Sequence, residues 1–102
     1  MEWSMVLGYM RGGSNESTAF FGHYFDMRDL GQKIVGMANS RGGKIVLGVD
    51  LNNYHFLGVD IEEEAILDFV EQSCKPVLHL ELDIIVRDAK KLMVISIPEG
   101  SQ

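Results

Sequence analysis

The stretch from Met37 to Asp50, MANSRGGKIVLGVD, is the most informative part of this sequence for the fold. A helical apolar stripe stops before the double glycine Gly42-Gly43, and a segment over 44–49 follows that has no polar alternation after Lys44. A glycine directly after a helix commonly adopts the left-handed conformation that ends it. A strand without polar alternation is typical of a central strand covered on both faces. The stretch therefore predicts a helix that ends at a glycine turn and leads into a buried strand.

The segments before this stretch predict a strand and two helices. Asp26 belongs to the residue types that cap helix N-termini, and helical spacing of apolar residues continues over Met27–Asn39. An aromatic-rich strand is predicted over Thr18–Phe25, where Gly22 weakens the pattern or marks a bulge. Residues 1–14 form a leading segment, in which four apolar residues at helical spacing predict a short helix: Trp3, Val6, Leu7 and Met10.

The segments after this stretch predict a hairpin and a further helix. Turn chemistry over 50–53 precedes a return strand at Tyr54–Val59. Asp60 and Glu63 form a capping pair for the helix, and Pro76 ends it after Lys75. Its predicted buried face consists of Ile61, Ala65, Ile66, Phe69 and Val70.

The final third of the chain predicts a second hairpin. Strict alternation predicts a half-exposed strand whose inward residues are Leu78, Leu80, Leu82, Ile84 and Val86. A turn over 88–90 leads to a last strand that ends at Pro98. The order strand, helix, hairpin, helix, hairpin predicts an α+β fold with a small mixed sheet packed with two helices. We expect one domain over 1–102, with its core at about 15–98.

Composition limits the class of protein. The chain is 46% hydrophobic, which predicts a packed globular core. No apolar run approaches the roughly 18 residues of a membrane span, so no membrane partner is expected. One cysteine, Cys74, cannot form an intramolecular disulfide, which favours a reducing, intracellular setting. We interpret Cys74 as a buried structural thiol.

The charge pattern bears on nucleic-acid binding. The formal net charge is −6, whereas a basic footprint is the usual signature of a nucleic-acid binder. Lys33, Arg41 and Lys44 nevertheless lie close together in sequence, and the acids concentrate elsewhere. The asymmetry permits a basic face against the net charge.

Several kinds of chemistry find little support. Residues 8–14 resemble a Walker A loop superficially but lack its lysine, so no nucleotide hydrolysis is predicted. Cys74 and the three histidines show no ligand spacing, so no metal site is predicted. Glu16 and Asp50 could converge if their strands are neighbours. The alternative, which spacing favours, makes Glu16 a loop acid and Asp50 a turn residue.

The whole pattern resembles the Schlafen-type, AlbA-like (divergent AAA) nucleic-acid-binding domain family. The resemblance covers about Asn15 to Pro98, and Asn39, Gly42, Gly43, Gly48 and Asp50 are its structural motif. It rests on Ala38-Asn39, Gly42-Gly43, Gly48-Val49-Asp50 and Phe56-Leu57-Gly58-Val59, with Glu16-Ser17 upstream and Pro76 and Ile95-Ser96-Ile97-Pro98 downstream.

The resemblance also implies what the chain lacks. The family's ribonucleases use three carboxylates, and only Glu16 matches one of them. Phe21 and Leu51 stand at the other two positions. One carboxylate cannot both hold a divalent ion and position a water, so cleavage by this chain alone is not expected. No cofactor is expected, unless Mn²⁺ or Mg²⁺ binds a site that Glu16 shares with a partner chain.

The leading hypothesis is a non-catalytic nucleic-acid-binding module, with RNA favoured over DNA. Lys33, Arg41 and Lys44 would contact phosphate, and Tyr24 or Tyr54 would stack on a base unless they only pack the hairpin. One alternative is a subunit of a multi-chain endoribonuclease that processes RNA. Another is a protein–protein assembly module, and in each case a protein partner or a homo-oligomer is expected.

Overall fold

The computed structural model describes residues 2–73 and 78–99, and it has the predicted α+β class. It contains three helices and six strands within these residues. In chain order they are α1 Trp3–Gly12, β1 Thr18–Phe21, α2 Met27–Ala38, β2 Gly43–Leu47, β3 Val49–Asp50, β4 His55–Phe56, α3 Glu63–Ser73, β5 Glu81–Arg87 and β6 Lys90–Ile97. The predicted leading helix is confirmed as α1. None of the described helices is long and apolar enough to cross a membrane.

A mixed four-stranded sheet forms the centre of the molecule, in the order β1-β2-β6-β5. Strand β1 pairs with β2 in parallel, with Thr18 opposite Lys44 and Phe21 opposite Leu47. Strand β6 pairs antiparallel with both β2 and β5. β3 and β4 form a separate two-stranded ribbon. The mixed sheet is therefore confirmed, with β2 and β6 at its centre.

Helices cover the sheet on both faces. On one face, Ile45 of β2 and Ile95 of β6 pack in a cluster with Leu30 and Ile34 of α2 and with residues of α3. On the other face, Val46 and its neighbours pack against α1. This double cover explains why β2 has no polar alternation over Ile45–Leu47, as predicted. The sequence predicted two helices packed with the sheet. The structure adds α1, which buries the second face of the sheet.

Two glycines set the path of the chain around β2. Gly42 adopts φ +76°, and its N–H donates to the Met37 carbonyl oxygen at 2.7 Å, which ends α2. A Cβ at Gly42 would collide with the Ile97 carbonyl oxygen. Gly48 adopts φ +98° and separates β2 from β3. Both positions require the left-handed region that glycine occupies without a steric penalty.

The strands beside these turns are shorter than predicted. β1 ends at Phe21 rather than at Phe25, because the Phe21 carbonyl oxygen accepts the Gly48 N–H at 2.8 Å where the ribbon begins. The strand predicted over 44–49 is interrupted at Gly48. The return strand predicted over Tyr54–Val59 is reduced to two residues, since Gly58 turns the chain at φ +77°. The hairpin itself is confirmed as the β3–β4 ribbon.

The prediction for the buried face of the β5 segment was correct for Leu80 and Leu82 and wrong for Ile84 and Val86. Strand β5 begins at Glu81 rather than at Leu78, and Ile85 is its buried residue, while Ile84 and Val86 remain 38% and 68% exposed. Ile85 faces the α1 cluster. Leu80 and Leu82 pack against the α2–α3 cluster as predicted. Edge strand β5 therefore has cover on its α2–α3 face for only part of its length.

Helix α3 also begins later than predicted, at Glu63, so Asp60 does not cap it. Ala65 is exposed, whereas Ile66 and Val70 are buried as predicted. The N-terminus of α2 is confirmed, because the Asp26 side chain accepts the Arg28 N–H at 2.7 Å. The predictions for Cys74 and for the helix end at Lys75-Pro76 lie outside the described residues.

Candidate nucleic-acid interface

The turn between α2 and β2 carries two of the predicted phosphate-binding residues. Arg41 is exposed in this turn, immediately before Gly42. Lys44 follows in β2, where its Nζ donates to Ser96 Oγ at 2.8 Å. Because the Ser96 hydroxyl is neutral, this hydrogen bond does not offset the charge of Lys44. The turn thus presents an exposed Arg41 and, beside it, a Lys44 that is held by Ser96.

The third predicted cation lies on α2. Lys33 is exposed and lines a shallow cavity of about 460 Å³ together with Glu16, Asp29 and Ser40. Lys44 alternates with Ile45, which faces α2, so the Lys44 side chain leaves the opposite face of the sheet. The structure therefore places Lys33 and Lys44 on different faces, and Arg41 at the edge between them.

Glu16 and Asp50, the two carboxylates that the sequence suggested could converge, do not come together. β1 and β2 are neighbours but run parallel. Glu16 precedes β1 and Asp50 follows β2, so the strands hold them roughly 10 Å or more apart at opposite ends. Phe21 packs against the α2–α3 cluster and Leu51 against the α1 cluster, so apolar side chains fill both other family positions. No group of three potential metal ligands occurs among the described residues.

Asp50 stabilises the turn of the β3–β4 ribbon, as the favoured interpretation predicted. Its carboxylate accepts the Asn53 side-chain amide at 2.9 Å, the Asn52 N–H at 3.1 Å and the Asn53 N–H at 3.4 Å. The Asn53 side-chain bond is the largest cause of a lowered Asp50 pKa. Desolvation by burial is the second-largest influence and raises the pKa, whereas the two backbone bonds and nearby His55 lower it further.

The histidines have separate surroundings. His23 Nδ1 lies 2.8 Å from the Gly58 carbonyl oxygen, and its Nε2 lies 3.6 Å from Asp60 Oδ2. These contacts connect the segment after β1 to the loop before α3. His55 and His79 are exposed. His23 therefore has a structural role in this part of the chain.

An aromatic cavity at the opposite end of the sheet escaped the sequence analysis. The cavity, of about 380 Å³, is lined by Trp3, Tyr54, His55, Phe56, Arg87 and Lys90, and we call it the Trp3 pocket. These residues come from α1, the β3–β4 ribbon and the β5–β6 hairpin. Only Tyr54 was a candidate from the sequence, because no local pattern joins positions so far apart. Tyr24, the other candidate, is 90% exposed and contacts His23 edge-on at 4.4 Å.

Comparisons with known proteins agree with the fold. A profile of the Schlafen, AlbA_2 family matches residues 13–102. No curated protein shows a significant sequence match.

Two solved structures are similar across 95% of this chain. The DIP2311 protein from Corynebacterium diphtheriae has a TM-score of 0.71 at 10% identity, and this chain spans only 25% of its length. The N-terminal domain of a Nitrosomonas europaea protein that is named for its relation to the ATP-dependent DNA helicase RecG has a TM-score of 0.63 at 18% identity, with 72% of that chain covered. At these identities the likeness shows the fold alone.

Proposed function

The chain belongs to the Schlafen, AlbA_2 family, and on this premise we propose that it is a nucleic-acid-binding module that does not cleave its ligand by itself. The family match carries the proposal, since it covers the sheet, α2 and α3. The similar domain from Nitrosomonas europaea belongs to a protein named for its relation to the DNA helicase RecG, which is consistent with a nucleic-acid role for this fold. We place the module in an intracellular setting and favour single-stranded RNA as its ligand.

The proposed phosphate contacts are Arg41, Lys44 and Lys33. Arg41 is exposed, and Gly42 fixes the turn that presents it. Arginine suits this role because its guanidinium can bind two phosphate oxygens at once. Lys44 and Lys33 lie on either side of Arg41, on the two faces of the sheet at the end where β2 begins. A nucleic-acid strand that crosses this end of the sheet would meet all three cations, although the net charge of the chain is −6.

The proposal that cleavage is absent rests on the apolar side chains at two family acid positions. Phe21 and Leu51 cannot bind a metal ion or accept a proton. Glu16 lies at the other end of β1 from Phe21 and shares its cavity with Asp29 and Lys33. A single carboxylate there is insufficient for metal-assisted hydrolysis.

A charge reversal tests the proposed contacts. We expect Arg41→Glu with Lys44→Glu to weaken binding of a labelled single-stranded RNA at least about tenfold and to lower the salt dependence. Arg28→Glu is the matched control, because Arg28 is also exposed but lies at the other end of α2. Arg41→Glu alone guards against a folding effect at the anchored Lys44. Unchanged affinity in both Arg41 variants would refute the contacts, and Mn²⁺-dependent cleavage by the wild type would refute the non-catalytic role.

A second candidate function is self-association through β5. This strand is at the sheet edge and leaves Ile84 and Val86 exposed. Antiparallel pairing of two copies about Ile84 would place Glu81 of each copy opposite Arg87 of the other. It would also join apolar residues on the opposite face of the strand, since Leu82 would lie opposite Val86. Exposed edges of this kind readily pair with a second chain.

Light scattering after size-exclusion chromatography tests this candidate. We expect the wild type to dimerise with rising concentration and Val86→Lys to remain monomeric. Leu67→Lys is the control, because Leu67 is an exposed apolar residue on α3 rather than on the edge strand. A wild type that stays monomeric at every concentration excludes pairing through β5.

A further inference from the structure

The Trp3 pocket combines three features that a nucleotide requires. It offers aromatic surface, positive charge and a volume of about 380 Å³, which is within the usual range for small-molecule sites. It lies at the hairpin end of the sheet, away from the turn that carries Arg41. The family profile begins at residue 13, so Trp3 and the rest of α1 lie outside the matched range.

The aromatic wall of the pocket is fixed by contacts among its own members. The Trp3 and Phe56 rings lie 4.5 Å apart with their planes inclined at 59°. The Arg87 guanidinium lies 4.7 Å from the centre of the Trp3 ring. This cation–π contact holds the guanidinium over the indole, so that a base could stack on its plane.

Tyr54 forms a second wall and is held in an unusual conformation. Its backbone φ is +55°, which is costly for an aromatic residue. Its hydroxyl donates to the Met10 carbonyl oxygen of α1 at 3.2 Å, while 54% of the residue stays exposed. Backbone strain of this kind is concentrated at binding sites. The ring is thus anchored at its tip and still accessible.

The charge of the pocket suits a phosphate. Arg87 and Lys90 are exposed on either side of the two-residue turn of the hairpin, and Asp88 is the opposing charge. The neighbouring Lys91 is engaged elsewhere, because its Nζ donates to the Ile61 carbonyl oxygen at 2.8 Å. Two cations against one carboxylate give this end a local positive balance in an acidic chain.

We propose that the Trp3 pocket binds one unstacked nucleobase together with its adjacent phosphate. The base stacks between Tyr54 and the Trp3–Arg87 pair, and Lys90 contacts the phosphate. This inference rests on the proposed function if the base belongs to a nucleic-acid strand. A free nucleotide offers the same base and phosphate, so the test must distinguish a nucleic-acid strand from a free nucleotide.

Trp3 is the only tryptophan of the chain, so its fluorescence reports directly on this pocket. We would titrate the protein with a single-stranded oligoadenylate, with adenosine monophosphate and with inorganic phosphate, and follow a labelled oligonucleotide by anisotropy in parallel. We expect saturable quenching of Trp3 by the oligonucleotide at the concentrations that raise its anisotropy, and no effect of inorganic phosphate.

Two variants probe the walls without disturbing the backbone. Tyr54→Asn removes the ring but suits the left-handed conformation, so the fold should be retained. We expect it to weaken binding about tenfold, as does the loss of one stacked base. Arg87→Gln should weaken binding several-fold and alter the emission of the free protein. Arg28→Gln is the control and should change neither readout.

The outcomes separate this inference from the proposed function. Strand binding with unchanged Trp3 emission and an unaffected Tyr54→Asn variant overturns the pocket and leaves the proposed function standing. Saturation by adenosine monophosphate without strand binding supports the pocket and refutes the proposed function. Quenching by inorganic phosphate alone overturns base recognition. No response to any ligand refutes both proposals.

Discussion

Gly48 is the residue at which the chain leaves the main sheet. Its N–H donates to Phe21, and its carbonyl oxygen accepts the Leu57 N–H at 2.7 Å and the Gly58 N–H at 3.0 Å. A Cβ at this position would lie 3.0 Å from the Gly58 backbone. The glycine of the Gly-Val-Asp motif is therefore required by close backbone approach and by positive φ together.

Gly48→Ala is expected to destabilise the protein by roughly 1–3 kcal/mol, because it adds both a clash and a disfavoured φ. Gly36→Ala is the matched control. Gly36 lies in α2, and a Cβ added there would have no atom within 4 Å. The free energy of unfolding of this variant should therefore rise by about 0.5–1 kcal/mol. Urea unfolding of the three proteins measures both changes. A Gly48→Ala variant as stable as the wild type would contradict the close approach.

Asp50 gives the turn of the ribbon a pH dependence. Its pKa is lowered from 3.8 by the hydrogen bonds from Asn53 and Asn52, so the ionised form stabilises the fold. That contribution is complete above the ordinary aspartate pKa and is lost as the pH falls through the lowered pKa. Asp50→Asn should therefore reduce stability at pH 7 and reduce it less at about pH 2. Unfolding curves at both pH values check this, and an equal loss at each would show that charge is not involved.

At the scale of elements, α1 determines whether the sheet has one buried face or two. Val6 and Met10 of α1 are buried against the strand residues Val46 and Val94. Without this helix, the central strands would expose an apolar face to water. The same helix supplies Trp3 to the pocket, so the stability of the second face and the binding proposal depend on one element.

Val6→Asp is expected to lower the free energy of unfolding by roughly 3 kcal/mol or more, because it buries a charge without a partner. Met5→Asp is the matched control on the same helix turn, since Met5 is 48% exposed whereas Val6 is fully buried. Thermal unfolding followed by circular dichroism compares the two. Equal midpoints for the variants would show that α1 does not pack on the sheet in solution.

Sequence predicted the elements whose signals are local. The helix ending at Gly42, the central strand β2 and the Asp50 turn were all correct, because caps, turns and apolar runs act within a few residues. The predicted inward face of β5 was wrong at Ile84 and Val86, because the burial of an edge strand depends on how far α2 and α3 extend over it. Ile84 and Val86 lie beyond the part of β5 that these helices cover. The extent of this cover cannot be read from a local sequence pattern.

At the scale of the whole molecule, the sheet separates two candidate surfaces. Arg41 and Lys44 lie at the end where β2 begins, and the Trp3 pocket lies at the end of the β5–β6 hairpin. The pocket was invisible in the sequence, because Trp3, Tyr54 and Arg87 become neighbours only through the tertiary fold. The three cations proposed from the sequence were identifiable, yet their distribution over two faces depends on strand alternation in the folded sheet.

A net charge of −6 makes the salt dependence of binding the most direct test of the central claim. We would measure the anisotropy of a labelled single-stranded RNA, with duplex DNA alongside, over a series of salt concentrations. We expect the logarithm of the RNA association constant to fall linearly with the logarithm of the salt concentration, with a slope near −2 for about three phosphate contacts. No RNA binding at low salt, or binding that salt does not weaken, would contradict it.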